Sequence, residues 1–429
     1  MPLSQLVRPS LFLRVVMAEL PQFVHDRVAE IAVKQGFTQN ELNVSFESGS
    51  SKGDGFGSDL FRAIIQQEGH DRLVVLCKLP LLNDARRRQY NSMRVFERES
   101  LVYHSLLPKI MEFQRDKDIP ENEGFFSVPK CYLAACDVQK EEAIIAMEDL
   151  RDRGMKMWNK LTPVNYEHVR MIMIQLGRFH AVSFALKDQH QEMFEEFKIP
   201  DLMTKALTEN EAIKALVNAT MDRTIGVLED HEDNARRKMT TLKENYFKVV
   251  GNCCEGATAE PFTVLVHGDC WVNNIMFTYK NKKPVALTLL DWQGTRYATP
   301  ALDLAYFFFC CTDAPFRRKY YDEMLRVYHN SLSELLEKLG GDPARQFPFT
   351  ALLRQMTRYG CYGVLMASFV LPVICTANED IPDLDAAAKH YLESQEIEAN
   401  SFANSGSAEQ NYRNRMAGVI RDMVRFGYI

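Results

Sequence analysis

Several familiar functional motifs are missing from this 429-residue sequence. It has no G-x-x-x-x-G-K-[ST] phosphate loop and no H-E-x-x-H zinc motif, which argues against a Walker-type nucleotide site and against a zinc hydrolase. Its ten cysteines include no C-x-x-C pair and no regular disulfide framework, so we expect reduced thiols and a cytoplasmic location. The net charge of −6 shows no excess of basic residues that would bind a nucleic acid, and we expect no such partner.

Uncharged runs long enough to cross a membrane are also lacking. The stretch 361–377 carries no charge, but it is only at the lower length limit of a membrane helix and contains Pro372. We therefore expect a buried helix there and no membrane span. The first 18 residues carry Arg8 and Arg14 and no acid, which resembles a transit peptide faintly. Arg14 interrupts the apolar core that a secretory signal needs, so secretion is not expected.

The most informative stretch that is present is 267–276, H-G-D-C-W-V-N-N-I-M, which is followed by a predicted β-hairpin over 275–290. In a hairpin the start of the first strand and the end of the second lie side by side. Asn274 and Asp291 should therefore meet at one rim. An amide oxygen and a carboxylate at such a rim suit Mg²⁺ that carries ATP. This pattern predicts the metal site of a kinase.

Asp269 is predicted to lie in the loop above that rim, where it can orient a hydroxyl nucleophile or accept its proton. An isolated aspartate in a turn is often only a solvated cap, but the full spacing with a strand on each side favours a catalytic loop. His267 and Asp269 could instead bind a metal for a hydrolase, but no third ligand supports that alternative. We expect His267 to shape the loop through hydrogen bonds.

A kinase also needs a loop that covers the phosphates and a lysine that contacts them. The segment 49–58 contains four glycines, and a strand follows it, as in kinases. A glycine-rich segment alone is more often only a flexible hairpin. Lys78 ends the apolar run 73–77, from which its ammonium could reach the α- and β-phosphates. Without the rest of the pattern, it would be interpreted as a strand-end lysine that extends to solvent.

A helix predicted over 83–107 tests this interpretation of Lys78. Glu99 lies on the apolar face of this helix, whereas Glu97 lies on the opposite face with Arg94. A buried glutamate requires a cationic partner, because an unpaired buried charge is very costly. Lys78 is the obvious candidate, and a strand lysine paired with a helix glutamate is typical of kinases.

Taken together, these segments resemble the ecdysteroid kinase-like family of arthropods. That family is also described as choline-kinase-like and belongs to the aminoglycoside phosphotransferase branch of the protein-kinase-like superfamily. The resemblance runs from about residue 20 to the C-terminal end. It rests on these segments: Lys78-Leu79-Pro80, Phe96-Glu97-Arg98-Glu99, Met147-Glu148-Asp149-Leu150, His267-Gly268-Asp269, Asp291-Trp292-Gln293 and Asp303-Leu304-Ala305.

The resemblance implies a role for each matching residue. It implies a catalytic Asp269, metal ligands Asn274 and Asp291, and a phosphate lysine, Lys78, with its partner Glu99. It also implies further residues around the cofactor ATP: Gly55, Gly57 and Ser58 under the phosphates, and Met147, Glu148 and Asp149 as a hinge that meets adenine through main-chain groups. Asp303 is implied to brace the catalytic loop.

The implied fold is α+β with two lobes. Residues 1–148 would form an N-terminal lobe with an antiparallel sheet and one key helix, and 149–429 a mostly helical C-terminal lobe. The position of His180 on an apolar helix face favours a packed core residue over a catalyst. Helices are predicted over 166–185, 317–339, 349–377 and 384–426.

The substrate is less well determined. The interval between Asp291 and Asp303 is too short for the activation segment of a protein kinase, so a peptide substrate is not expected. The family implies a hydroxylated lipophile, ecdysteroid-like or xenobiotic, with choline or ethanolamine as the enzymatic alternative and a catalytically silent pseudokinase as the alternative of another class. Trp158, Trp271 and Trp292 could line an apolar substrate pocket or only pack the loops.

Overall fold

The computed structural model describes residues 20–49, 57–89, 91–198, 211–394 and 406–429. Over these residues the architecture is the predicted α+β arrangement of a sheet-containing N-terminal lobe and a mostly helical C-terminal lobe. Strand β5 ends at Glu148, but the division into 1–148 and 149–429 stays a prediction.

The N-terminal lobe is built on one antiparallel sheet. Its elements are helix α1 (Gln22–Lys34) and strands β1 (Asn43–Ser48), β2 (Ser58–Gln66), β3 (Leu73–Pro80), β4 (Cys131–Asp137) and β5 (Glu142–Glu148). The strand order is β1-β2-β3-β5-β4, so β3 lies at the centre. Val24, Val28 and Ile31 of α1 are buried in one cluster with apolar residues of the sheet. This packing covers one face of the strand that carries Lys78.

The helical segment between β3 and β4 is not the single helix predicted over 83–107. It consists of α2 (Asp84–Gln89), α3 (Ser92–Leu101), a π-helical turn (Val102–Leu106) and α4 (Leu107–Arg115). Asn91, with φ +48°, precedes α3 in the left-handed conformation, which asparagine adopts more readily than most residues. Helix α3 packs against β4 and β5 and carries Glu99 into the lobe.

The C-terminal lobe combines helices with two small antiparallel ladders. The ladders contain β6 (Lys156–Met157), β7 (Val264–Val266), β8 (Ile275–Lys280), β9 (Lys283–Leu289) and β10 (Arg296–Ala298). The helices are α5 (Tyr166–Gln189), α6 (Gln191–Glu196), α7 (Glu211–Ile225), α8 (Asp233–Glu244), α9 (Tyr246–Cys254), α10 (Ala301–Cys311), α11 (Ala314–Lys338), α12 (Pro343–Gln346), α13 (Phe349–Tyr359), α14 (Tyr362–Cys375), α15 (Leu384–Ser394) and α16 (Gly406–Phe426). Residues 395–405, within the helix predicted over 384–426, lie outside the described residues.

Helix α14 confirms the buried helix predicted from the uncharged run 361–377, since most of its residues are inaccessible to solvent and it packs against α10. The helix predicted over 349–377 is instead divided into α13 and α14. In the described part of the chain, no single helix has the length and apolar composition of a membrane span. Only Pro343–Tyr359 and Tyr362–Cys375 taken together meet those criteria, as a pair bent by 61°.

Candidate active site

Strand β3 and helix α3 bring Lys78 and Glu99 together as predicted. The Lys78 ammonium lies 2.8 and 2.7 Å from the two carboxylate oxygens of Glu99, and both side chains are buried. Glu97 is exposed on the opposite face, where it accepts a hydrogen bond of 2.7 Å from Arg94. The predicted assignment of the two helix faces is confirmed.

Lys78 also donates to Asp291 at 2.9 Å, which links the N-terminal lobe to the segment that follows strand β9. Burial disfavours the ammonium, but Asp291 and Glu99 outweigh this effect and raise the pKa of Lys78 above its usual value. For Glu99, the loss of hydration raises the pKa, against the attraction of Lys78. Lys78 therefore keeps its positive charge at the junction of the lobes.

The hairpin brings Asn274 and Asp291 to one rim, as predicted from their spacing. Strands β8 and β9 pair Ile275 with Leu289, and the Leu290 N–H donates to the carbonyl oxygen of Asn274 at 2.8 Å. Asp291 follows with φ +61°. The rim thus begins one residue before the first strand and ends two residues after the second.

The Asn274 and Asp291 side chains fit a magnesium ion that is bound mainly through phosphate. The Asn274 amide nitrogen donates to the main-chain oxygen and the carboxylate of Asp269, so its amide oxygen is the atom suited to a metal. In the described ranges, no group of three or more His, Cys, Asp or Glu side chains is arranged to bind a metal ion. One amide and one carboxylate oxygen suit Mg²⁺, which takes its other ligands from phosphates and water.

Asp269 is held on both sides of its carboxylate. Tyr306 donates from its hydroxyl to Oδ1 at 2.8 Å, and Asn274 and Gln293 donate to Oδ2 at 3.0 and 3.4 Å. Burial and the neighbouring charge of Asp291 raise the pKa of Asp269 above its usual value. A carboxylate so oriented and so basic is suited to accept a proton.

Asp303 braces the catalytic loop through two main-chain contacts. Its carboxylate accepts from the N–H groups of His267 and Gly268, both at 2.8 Å. His267 also contacts the carbonyl oxygen of Leu290 through Nε2 at 2.9 Å, which agrees with its predicted loop-shaping role. His180 is buried as predicted, and it contacts Asp303 at 3.2 Å, a contact that sequence analysis did not foresee.

Gly268 and Gly294 allow the loop that contains Asp269 and the segment that follows Asp291 to touch. Gly268 has φ +80°, and a Cβ atom there would lie 1.9 Å from the carbonyl oxygen of Gly294. No side chain can occupy that space, so glycine is required at 268 for steric and conformational reasons.

Lys78, Asp269, Asn274 and Asp291 line a cavity of about 480 Å³ between the lobes. The lining includes most residues that the resemblance assigned to the nucleotide: Gly57, Ser58, Lys78, Met147, Glu148 and Asp149. Gly55 lies outside the described residues. The Asp149 carboxylate accepts from Arg62 at 2.6 Å and from Arg151 at 2.9 Å, and the Glu148 N–H donates to Lys130. The roles of these residues toward nucleotide stay predictions.

The sequence model of the ecdysteroid kinase-like family matches residues 52–341, which is more than half of the chain. The chain belongs to the ecdysteroid kinase-like family. No curated protein matches its sequence. Among solved structures, it is similar to an ethanolamine kinase of Plasmodium vivax, with 12% identity and a TM-score of 0.45 over 96% of this chain and 91% of that one. It is also similar to an aminoglycoside phosphotransferase in complex with GDP and kanamycin, with 11% identity and a TM-score of 0.40 over 93% and 98%.

Membership of the ecdysteroid kinase-like family supports a small-molecule kinase. The cavity is also lined by Trp271, Tyr306 and, from α14, by Phe369, Val370 and Val373. The uncharged helix thus supplies an apolar wall to the cavity that Asp269 also lines. Its part in the cavity was not predicted from the sequence, because an apolar run indicates burial but not which neighbour it meets.

The three tryptophans of the protein differ in their surroundings. Trp271 lines the cavity, whereas Trp292 is fully buried and packs against Phe179 and His267. The Trp158 ring lies 4.4 Å from the His168 ring at an angle of 57°, and Trp158 is not part of the cavity lining. Trp271 alone of the three can therefore contact an acceptor in the cavity.

Tyr306 and Gln293 donate hydrogen bonds to Asp269 that were not predicted from the sequence. A signal for Tyr306 was present in its spacing, because Tyr306 lies three residues after Asp303 and residues at this spacing share a face of a helix such as α10. Since Asp303 was predicted to face the catalytic loop, Tyr306 could have been predicted to face it too.

Proposed function

We propose that this kinase transfers the γ-phosphoryl group of ATP, bound with Mg²⁺, to a hydroxyl group of a small, largely apolar acceptor. The convergence of Lys78, Asp269, Asn274 and Asp291 on one cavity carries the proposal. All four are side chains that phosphoryl transfer uses. A silent pseudokinase would not need to retain them together.

In the proposed reaction, Asp269 orients the acceptor hydroxyl and takes its proton as the oxygen bonds to the γ-phosphorus and ADP leaves. Tyr306 and Asn274 hold the Asp269 carboxylate in place. Glu99 keeps the Lys78 ammonium aimed at the cleft, where it offsets phosphate charge. Mg²⁺, held by Asn274 and Asp291, would supply further neutralisation of that charge.

The apolar wall favours a lipophilic acceptor, ecdysteroid-like or xenobiotic. Phe369, Val370 and Val373 offer hydrocarbon contact beside Asp269 but no group that would bind a second charge. Choline or ethanolamine remains the second candidate, because the aromatic faces of Trp271 and Tyr306 could contact an ammonium group. The lack of a C-x-x-C pair and of a regular disulfide framework fits a reducing cytoplasm as the place of reaction.

The test incubates the wild type and Asp269→Asn with Mg-ATP and a panel of acceptors, with mass spectrometry of the products. The panel contains ecdysteroids, other polyhydroxylated lipophiles, choline, ethanolamine and a generic protein. We expect a phosphorylated lipophile from the wild type, with turnover lowered roughly 10²–10⁴-fold in the mutant because the base is removed. Phosphocholine would instead support the second candidate, and ligand binding without any phosphorylated product would support the pseudokinase.

A further inference from the structure

A second cavity, of about 660 Å³, lies in the C-terminal lobe away from the cleft, and we call it the basic cavity. It is an open cavity bordered by α8, α9, α13 and the segment that follows α16, and it shares no lining residue with the active-site cavity.

The charge of the basic cavity is one-sided. Arg237, Lys238, Lys248 and Arg358 line it, and the lining contains no aspartate or glutamate. Arg237, Lys248 and Arg358 form no ion pair with any residue in the described part of the chain. Arg237 donates to the Asn234 amide oxygen at 3.0 Å, the Arg358 guanidinium lies over the Tyr359 ring, and Lys238 donates to the C-terminal residue Ile429. Three cations without an ion-pair partner around one concavity attract an anion, although the whole chain carries −6.

The inner surface of the basic cavity is apolar and held in place. Leu242 and Tyr359 are buried, and Val249 and Tyr428 are half-buried beside them. The Tyr359 hydroxyl donates to the carbonyl oxygen of Thr258 at 2.8 Å, so its ring is fixed. A bare phosphate ion would leave this apolar surface in contact with water. The volume of the basic cavity lies within the range of roughly 300–1,000 Å³ that is usual for sites that bind small molecules.

We propose that the basic cavity binds an anionic amphiphile, a phosphate or carboxylate headgroup joined to an apolar body. Arg237, Lys248 and Arg358 are exposed and can turn toward the headgroup. The apolar body lies against Tyr359 and Val249. This proposal does not depend on the reaction proposed above, because the two cavities have no residue in common.

The first test is calorimetric titration of the full chain with n-octyl phosphate, n-octanoate, n-octanol and inorganic phosphate. We expect octyl phosphate or octanoate to bind at least about ten-fold more tightly than octanol or phosphate, and the affinity to fall as salt is added. The ranking of octyl phosphate against octanoate identifies the headgroup. Equal affinity for octanol and for both anions would overturn the proposal, as would binding that salt does not weaken.

The second test uses variants that change the charge or the volume of the basic cavity. Lys248→Glu and Arg358→Glu should each weaken binding of the preferred anion by about ten-fold or more, whereas Arg318→Glu, the same charge change on the exposed face of α11, should change it less than about two-fold. Val249→Trp keeps the charge of the basic cavity but fills part of its volume. It should therefore weaken binding of the amphiphile more than binding of inorganic phosphate. Unchanged melting temperatures show that the variants fold. If saturating Mg-ATP displaces the amphiphile while Lys248→Glu does not weaken it, the ligand binds in the cleft and the proposal is wrong.

Discussion

The Lys78 ammonium and the Glu99 carboxylate lie 2.7 Å apart with side chains only 7% and 0% exposed. Such a pair is costly to form, because both charges lose their hydration. The function of the pair is to position a side chain, because Glu99 holds Lys78 toward the cleft, where Asp291 also contacts the ammonium. Loss of one partner therefore affects both stability and the site.

Glu99→Ala should lower the free energy of unfolding, whereas Glu97→Ala should be close to neutral. Removal of Glu99 leaves a buried cation, which costs on the order of 3–5 kcal/mol, and the remaining contact with Asp291 should keep the loss near the lower end. Glu97 is exposed and its contact with Arg94 contributes little. Urea unfolding of both variants measures the difference. Equal losses would contradict the assignment of the two faces.

Asp291→Ala should abolish the dependence of ATP binding on Mg²⁺. The wild type is expected to bind ATP more tightly with Mg²⁺ than with a chelator, because Asn274 and Asp291 can hold the ion that bridges to phosphate. Asp383→Ala, which removes an exposed carboxylate distant in sequence from the site, serves as the control and should keep the dependence. Calorimetric titration with and without Mg²⁺ checks this. A wild type that binds ATP equally well under both conditions would rule out the metal site.

Tyr306→Phe should lower kcat while leaving the affinity for ATP nearly unchanged. The variant removes a hydrogen bond of 2.8 Å to the Asp269 carboxylate, and bonds to charged groups contribute about 1.5–3 kcal/mol. If all of this free energy is lost from the transition state, kcat falls roughly ten-fold or more. Tyr321→Phe also removes a buried hydroxyl contact, with Tyr428, and should leave kcat unchanged. Similar kcat values for the two variants would show that Tyr306 has no positioning role.

Stability should depend on the ionisation of Glu232. Two hydrogen bonds from Arg421 of α16, at 2.7 and 2.9 Å, lower the pKa of Glu232 from its usual 4.5 to about 2. Because the pKa of Glu232 is lower in the folded state, its ionised form stabilises the protein at pH values above the unfolded-state pKa. This contribution is lost as the pH falls from 4.5 toward 2. The effect should be modest, because Arg421 is half exposed.

Glu232→Gln should therefore be less stable than the wild type near neutral pH, and the difference should shrink as the pH falls below about 4.5. Urea midpoints measured across this range test it. Glu192→Gln, at an exposed position on α6, should show no such trend. A Glu232→Gln difference that stays constant with pH would mean that the pair with Arg421 does not couple to stability.

The amino-acid sequence by itself determined the parts of the site that depend on local geometry. The spacing of Asn274 and Asp291 about a hairpin predicts their meeting, because antiparallel pairing brings strand ends together. The helical period places Glu99 inward and Glu97 outward, and the cost of an unpaired buried charge then selects Lys78. These inferences depend only on short stretches of regular structure. The folded protein contains each of the contacts that they predict.

Tertiary structure alone decided which distant segments meet. Tyr306 reaches Asp269, His180 reaches Asp303, and α14 lines the cleft, because segments that are far apart in sequence pack together. The cations of the basic cavity come from α8, α9 and α13, and nothing in their local sequence predicts that one concavity collects them. Periodicity specifies which face of an element is buried, but packing of whole elements determines what that face contacts.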